Sequence, residues 1–307
     1  MIFASRLVFI KGQDCLVPRS VAGKIEAMGA AMPAEGPFSS ISERSQNISI
    51  DEITWSSDLV ILEQVVSSVF FFHNEEFIVV SLGEDGRALE KTRDLAKAIS
   101  VPVRTLAQSF SSDIARFILL AKAHAQWAAV SRFCGACGNA LVDAKDHEEV
   151  REPLDDHAHG ARFCPHCKRI FFPRMSPAVI VLVQKGNAIL LEHNVRFPGA
   201  RHSLIAGFVE IGETIEEAAI REIREEAGIE VKNLRYIKSQ PWPFPDSLML
   251  GFIAEWASGD PRPDGVEIDH LDWYTLDSLP ELPLKGSIAR SILDTFIEGG
   301  FSNVESV

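Results

Sequence analysis

Three carboxylates, Glu222, Glu225 and Glu226, fall within one arc of ~100° if residues 214–227 form a helix turning 100° per residue. Ile215, Ala219, Ile223 and Ala227 make the adjoining apolar stripe, which puts the acids at its buried edge. Like charges at i,i+3 and i,i+4 oppose helix formation, and partial burial sharpens the repulsion. Hard divalent cations, Mg²⁺ or Mn²⁺, remove the conflict because oxygen is the ligand they prefer. Thr214 and Glu217 form a Thr-x-x-Glu capping box that starts the helix, and Gly228 suits the left-handed residue just past its end. A solvated acidic face with pairs such as Glu217 to Arg221 is the plainer account, but it leaves the flanking glycines unexplained.

A second chemistry lies in the cysteines. Cys134 and Cys137 form one Cys-x2-Cys pair, Cys164 and Cys167 another, and Cys15 stands alone. Two such pairs can aim four thiolates at one tetrahedral Zn²⁺, and a site closed by four sulfurs is structural rather than catalytic. Gly135 and Gly138 ease the first knuckle, and Pro165 pre-sets the bend of the second. A redox pair is the alternative, without a surrounding thioredoxin-like pattern to support it. His157, His159 and His166 are spare ligand candidates whose plainer reading is loop histidine. Acids between the pairs, Asp143, Asp146, Glu148, Glu149, Asp155 and Asp156, argue against nucleic-acid binding there and for a structural clip between domains.

A third pattern is Ser239-Gln240-Pro241-Trp242-Pro243-Phe244-Pro245. Proline at alternate positions predicts an extended backbone, with Trp242 and Phe244 pointing the same way. Two aromatics held in this manner can stack on a flat ring at little entropic cost.

Residues Gly207 to Ile229 match the pattern G-x5-E-x7-R-E-U-x-E-E-x-G-U, with U apolar, at every defined position. This is the Nudix box. Followed by SQPWPFP and preceded by the four cysteines, it resembles the NADH pyrophosphatases of the NudC type. The resemblance covers residues from about 127 to 295. It includes Trp127, Phe133, Phe172-Pro173, Glu267-Ile268, Trp273 and Ser287-Ile288-Ala289-Arg290.

The resemblance implies an α/β fold, a Nudix α/β/α sandwich with a mixed sheet, preceded by a zinc ribbon and an N-terminal α+β domain. It implies metal-dependent hydrolysis of the pyrophosphate of NADH or NAD⁺, giving nicotinamide mononucleotide and AMP. Removal of 5′ NAD caps from RNA by the same chemistry is the alternative, and a non-catalytic binding module a third. Two or three Mg²⁺ or Mn²⁺ ions would be held by Glu222, Glu225, Glu226 and Glu267, with the Ala206 backbone as a further contact. Arg221 would orient the carboxylates. Phe172, Phe208 and Trp242 would wall the ring sites, Gln240, Pro241, Pro243, Phe244, Pro245, Asp246 and Ser247 would continue the substrate loop, and Ala289 would touch substrate near the C-terminus. One Zn²⁺ would sit on the cysteines, and a homodimer is implied. The sequence departs from the family in the longer acidic linker around 143–159, and in Phe172 where tyrosine is frequent.

The elements that must position these groups fall in three segments: 1–130, 131–172 and 173–307. In the first, Val69–Phe72 and Phe77–Val80 read as strands, Gly83–Gly86 as a turn and 29–46 as a loop. A helix spans about 112–130, with Ile114, Phe117, Ile118, Ala121 and Ala125 as its apolar stripe. This segment shows no recognisable chemistry and reads as a packing or dimerisation domain. In the third, Ala178–Val183, Ala188–Leu191 and Leu248–Trp256 read as strands, and 214–227 and 287–297 as helices. No internal repeat is evident.

With 307 residues, 46% of them apolar, the chain has room for about two domains and a core needing no disulfide staples. The net charge of −13 is unsuited to a general binder of nucleic-acid backbones. Cysteine usage, the lack of a leader pattern and the shortness of the apolar runs predict a soluble protein of a reducing compartment, the cytoplasm, with no membrane partner.

Overall fold

The computed structural model describes residues 6–11, 14–18, 66–72, 75–82, 98–104, 112–144, 147, 150, 160–196 and 199–299. The expected turn at 83–86, the loop at 29–46 and the acids and histidines at 146, 148, 149 and 155–159 lie outside them, as does the Ile114 side chain. The chain divides into two compact units, Met1–Arg174 and Met175–Val307.

In the first unit, β1 (Arg6–Lys11), β2 (Asp14–Pro18), β3 (Val66–Phe72), β4 (Glu75–Leu82) and β5 (Ala98–Pro102) form a sheet in the order β3-β4-β1-β2-β5. Helix α1 (Ser112–Val130) packs on β3, β4 and β1. Its expected stripe is real: Phe117, Ile118, Ala121 and Ala125 are buried. Three two-residue strands follow, β6 (Val142–Asp143), β7 (Arg162–Phe163) and β8 (Ile170–Phe171), in one small antiparallel sheet. Trp127 of α1 ties to this segment by donating its indole N–H to the Gly160 carbonyl at 2.6 Å.

The second unit is a mixed six-stranded sheet between two helices. Strands β9 (Ser176–Lys185), β10 (Ala188–Asn194), β11 (Ile205–Phe208), β12 (Glu230–Trp242), β13 (Ser247–Ser258) and β14 (Ile268–Tyr274) run in the order β12-β13-β9-β10-β14, with β11 also on β9. The β9–β13 pair is parallel, while β9 pairs antiparallel with β10 and β11. Both faces of β9 are apolar, and strand alternation sorts them. Val179, Val181 and Val183 pack with Ala218, Ala219 and Ile223 of α2 (Ile215–Ala227). Ile180 and Leu182 pack with Ile288, Ile292 and Leu293 of α3 (Ile288–Ile297) on the other face. The expected α/β/α sandwich with a mixed sheet is therefore present.

The long edge strand β12 is irregular. Its register with β13 shifts at three places, Asn233 has φ 53°, and Pro241 lies near its end. Those bulges break the alternation that would have announced the strand in the sequence. Among the described residues, no helix is long and apolar enough to cross a membrane.

Candidate functional site

Helix α2 begins as its sequence predicts. The Glu217 N–H donates to Thr214 Oγ1 at 3.2 Å, and the Thr214 N–H donates to Glu217 Oε2 at 2.8 Å. It ends at Gly228 with φ 67°, whose N–H reaches the Arg224 carbonyl at 3.0 Å. Ala219, Ile223 and Ala227 are fully buried, and this anchors the orientation of the acids. Glu222 and Glu226 are each only 9% exposed, while Glu225 is open to solvent.

Arg221 organises the outer side of this face. Its Nε and Nη2 donate to Glu213 at 2.8 and 3.0 Å, and Nη1 donates to Glu222 at 2.8 Å and Glu225 at 3.0 Å. Nη2 also donates to the Phe208 carbonyl at 2.9 Å. The plain Glu217–Arg221 pair is not what forms: Glu217 is spent on the cap, and Glu213 from the loop takes the guanidinium. This bond pulls the Glu213 carboxyl below its ordinary range. Burial pushes Glu222 up despite Arg221, and burial lifts Glu226 to about 7.

Glu267 approaches from the β13–β14 loop. Arg196 donates to it at 3.1 Å, and Asp264 Oδ1 fixes the loop by accepting the N–H groups of Val266, Glu267 and Ile268. The charges of Glu267 and Asp264 both act on Glu226. A further acid, Glu192 of β10, was not singled out from the sequence. It is 4% exposed, its side chain is bonded to Glu226, and burial with that neighbour raises it to about 10. Leu190 packs on the α2 side of the sheet, and Glu192, two residues on, shares its face, a relation that only the packing reveals.

The fit to divalent cations rests on this chemistry. Buried carboxylates face one another, and one oxygen each of Glu192 and Glu226 is buried without a hydrogen-bond partner. Oxygen donors with an unmet charge are what such ions take. Among the described residues, the acids do not bring three ligand oxygens as close together as the cysteines bring their sulfurs.

The substrate-loop residues divide. Gln240 lies in β12 rather than in a loop. Its amide is used internally, donating to the Gly286 carbonyl at 2.8 Å and accepting the Ile288 N–H at 2.7 Å, so it pins the start of α3. Ala289 is buried in the core beside it. A cavity of about 520 Å³ lies here between β12 and α3, lined by Lys238, Gln240, Lys285, Ser287 and Arg290 among others. The proline run is not extended throughout. Trp242 pairs with Ser247, the Phe244 N–H turns back to the Trp242 carbonyl at 2.8 Å, and Pro243 to Asp246 form a hairpin loop. Asp246 accepts from Ser176 Oγ at 3.2 Å, Pro243 and Ser247 are buried, and Pro241 and Pro245 are exposed. Trp242 and Phe244 contact edge to face at 5.0 Å and 62°. Phe208 is largely exposed beside the helix, and Ala206 lies in β11 against Ile180. Phe172 belongs to the first unit and is half exposed.

The cysteines form a separate centre in the first unit. Cys134 and Cys167 sulfurs are 3.6 Å apart, Cys137 and Cys164 sulfurs 3.5 Å, and all four lie within 4.8 Å. Four ligands at ~2.3 Å around a tetrahedral zinc ion require spacings of this order, so the set fits Zn²⁺. Backbone and side-chain bonds from Asn139 pull Cys137 down to about 6, while burial and the neighbouring sulfurs push Cys167 up to about 12. The knuckles repeat one geometry that the sequence reading missed. Cys134 N–H bonds Asn139 O and Gly138 N–H bonds Cys134 O; Cys164 N–H bonds Arg169 O and Lys168 N–H bonds Cys164 O. The signal was Arg-Phe-Cys at both 132–134 and 162–164. Where the first knuckle has Gly138 at φ 74°, the second has Lys168 at φ 57°.

An acid-bearing, capped helix packed on a mixed sheet, with its arginine clasping three of the acids, defines the Nudix class. The NUDIX domain profile matches residues 173–296. The NAD-capped RNA hydrolase NudC of Pseudomonas aeruginosa (strain PAO1) is 47% identical over 171 residues, 56% of this chain and 57% of that protein. The NAD-capped RNA hydrolase NudC of Shigella dysenteriae serotype 1 is 38% identical over 189 residues, 61% of this chain and 69% of that protein. A Nudix hydrolase crystal structure from Nitrosomonas europaea aligns with 57% of this chain and 95% of its own, at 23% identity and a TM-score of 0.46. The chain belongs to the Nudix family. It matches somewhat over half the length of curated relatives such as the Pseudomonas protein.

Proposed function

We propose that the chain hydrolyses the pyrophosphate bond of NADH or NAD⁺, giving nicotinamide mononucleotide, reduced or oxidised, and AMP. The observation that carries this is the placement of Glu222 and Glu226 at the buried edge of α2, with Glu267 and Asp264 acting on Glu226 from the β13–β14 loop. Glu222, Glu225, Glu226 and Glu267 would hold Mg²⁺ or Mn²⁺, with the Ala206 carbonyl as a backbone donor. When bound, these ions neutralise the diphosphate and make a water acidic enough to attack at neutral pH. Attack on one phosphorus breaks the bridging P–O bond, the leaving phosphate keeps the electron pair, and one of the glutamates accepts the water's proton. Arg221 keeps Glu222 and Glu225 in position. Trp242, Phe244 and Phe208 offer ring faces, and the segment Gln240–Ser247 with Ala289 frames the substrate.

A second reading uses the same bond in a 5′ NAD cap on RNA. It is favoured by the names of the relatives, which are NAD-capped RNA hydrolases at 38–47% identity in the two cases given. In both readings residues 131–172 form a structural ribbon around one Zn²⁺ on Cys134, Cys137, Cys164 and Cys167. Residues 1–130 form the domain before it and 173–307 the hydrolase domain, and the protein acts as a cytoplasmic homodimer. One experiment tests the reaction: NADH, NAD⁺ and NAD-capped RNA are each incubated with Mg²⁺ or Mn²⁺, kcat/KM is compared and products are identified by mass. Release of mononucleotide with AMP, or with 5′-monophosphate RNA, is expected. No cleavage of any of the three overturns the proposal.

A further inference from the structure

Glu192 sits where a strand in a sandwich ordinarily places an apolar side chain. Ile189 and Leu191 pack on the α3 side and Leu190 on the α2 side, so alternation turns Glu192 toward α2. Its backbone makes a reciprocal pair with Ser203: the Glu192 N–H donates to the Ser203 carbonyl at 3.0 Å, and the Ser203 N–H donates back at 2.7 Å. The side chain therefore has little freedom to swing out to water.

Its surroundings are acidic. The charged groups acting most strongly on it are Glu226 from α2 and Asp264 and Glu267 from the β13–β14 loop. Arg221 spends its donors on Glu213, Glu222, Glu225 and the Phe208 carbonyl, and Arg196 donates to Glu267. Glu192 Oε2 and Glu226 Oε2 are both buried without a hydrogen-bond partner. The two side chains are bonded to each other, yet one oxygen of each is still without a donor, and a buried carboxylate pair of this kind needs a shared proton or a cation to offset its repulsion. An apolar residue at position 192 would extend the core at no such cost.

We propose that Glu192 is a ligand of a divalent cation that it shares with Glu226, at the buried end of the carboxylate cluster. This adds to the Nudix box a carboxylate from the sheet, and it rests on the metal-dependent reading above. Glu225 and Glu267 then serve the open side of the cluster, where the diphosphate enters, while Glu192 and Glu226 hold the ion farthest from solvent.

The test is a Mn²⁺ titration of the full chain, with its zinc retained and other divalent ions removed, followed by electron paramagnetic resonance of free Mn²⁺ and by the rise in Tm on saturation. Wild type, Glu192→Gln, Glu192→Ala and the capping-residue control Glu217→Gln are compared. The Glu192 variants are expected to lose one bound ion, or to weaken the tightest class at least tenfold, and to lose part of the Mn²⁺-induced rise in Tm. The control should match wild type. Wild-type stoichiometry, affinity and Tm gain in whichever Glu192 variant folds overturns the assignment. A wild-type chain that cleaves NADH but gains nothing from Mn²⁺ or Mg²⁺ overturns it too, and with it the metal-dependent reading. A chain that binds Mn²⁺ through Glu192 without cleaving any dinucleotide supports the ligand and removes the proposed reaction.

Discussion

The carboxylate of Glu222 occupies the space that a Cβ at Gly207 would fill. Strand β11 thus reaches α2 at a point where only hydrogen fits, and the first glycine of the box is explained by close approach rather than by a turn. Gly207→Ala should push Glu222 out of place. Displacement of a catalytic group by about 1 Å costs on the order of 100-fold in rate. A kcat within twofold of wild type in steady-state NADH hydrolysis would contradict this account.

Arg221 is held in five hydrogen bonds at 22% side-chain exposure, so lysine cannot replace it. Arg221→Lys should lower stability by about 1–3 kcal/mol, less than for a fully buried pair because the group is partly solvated. It should also raise the metal concentration needed for half-maximal rate. Denaturant unfolding and a Mg²⁺ dependence of kcat would check both effects.

Glu226 and Glu192 are raised in the folded chain, to about 7 and about 10. An acid whose folded pKa lies above its unfolded one keeps its proton longer when folded, so stability is fullest below the unfolded value and declines as pH rises toward the folded one. In buffer free of divalent ions, Tm should fall between pH 5 and pH 8, and added Mn²⁺ should flatten the slope. A Tm that rises over this range would be the opposite sign.

The two knuckles make a matched pair of variants. Lys168 carries a left-handed backbone at some cost, whereas Gly138 does so freely. Gly138→Ala should destabilise the ribbon by about 1 kcal/mol, and Lys168→Gly should be neutral or stabilising by up to about 1 kcal/mol. Zinc retention against a graded chelator would register the difference, and equal losses in both variants would refute it.

Trp242 meets Phe244 edge to face at the hairpin, leaving an aromatic surface for a flat ring. Trp242→Ala should raise KM for NADH about tenfold or more, while a small diphosphate without a nicotinamide loses much less. Equal changes for both substrates would take Trp242 out of ring binding.

Helix α2 was legible because three local signals agree there: a reciprocal cap at Thr214 and Glu217, an apolar stripe, and a glycine stop. Strand β9 was legible as a continuous apolar run. Strand β12 was not, because its register shifts erase the two-residue period. The hairpin at 243–246 was read as extended because alternating prolines fix φ but not the turn that joins them. Glu192 escaped for another reason. A single acid after four apolar residues carries no motif, and only the helix that packs over it gives it a role.

Strand β12 ends the sheet order, and it carries three register breaks against β13, a left-handed asparagine and a proline. Another strand laid along its outer rim would meet donors and acceptors out of step and could add only a few bonds before losing alignment. Two copies of the chain therefore cannot fuse their sheets there into one continuous ribbon. Association along this rim would rest on side chains rather than on a shared backbone ladder.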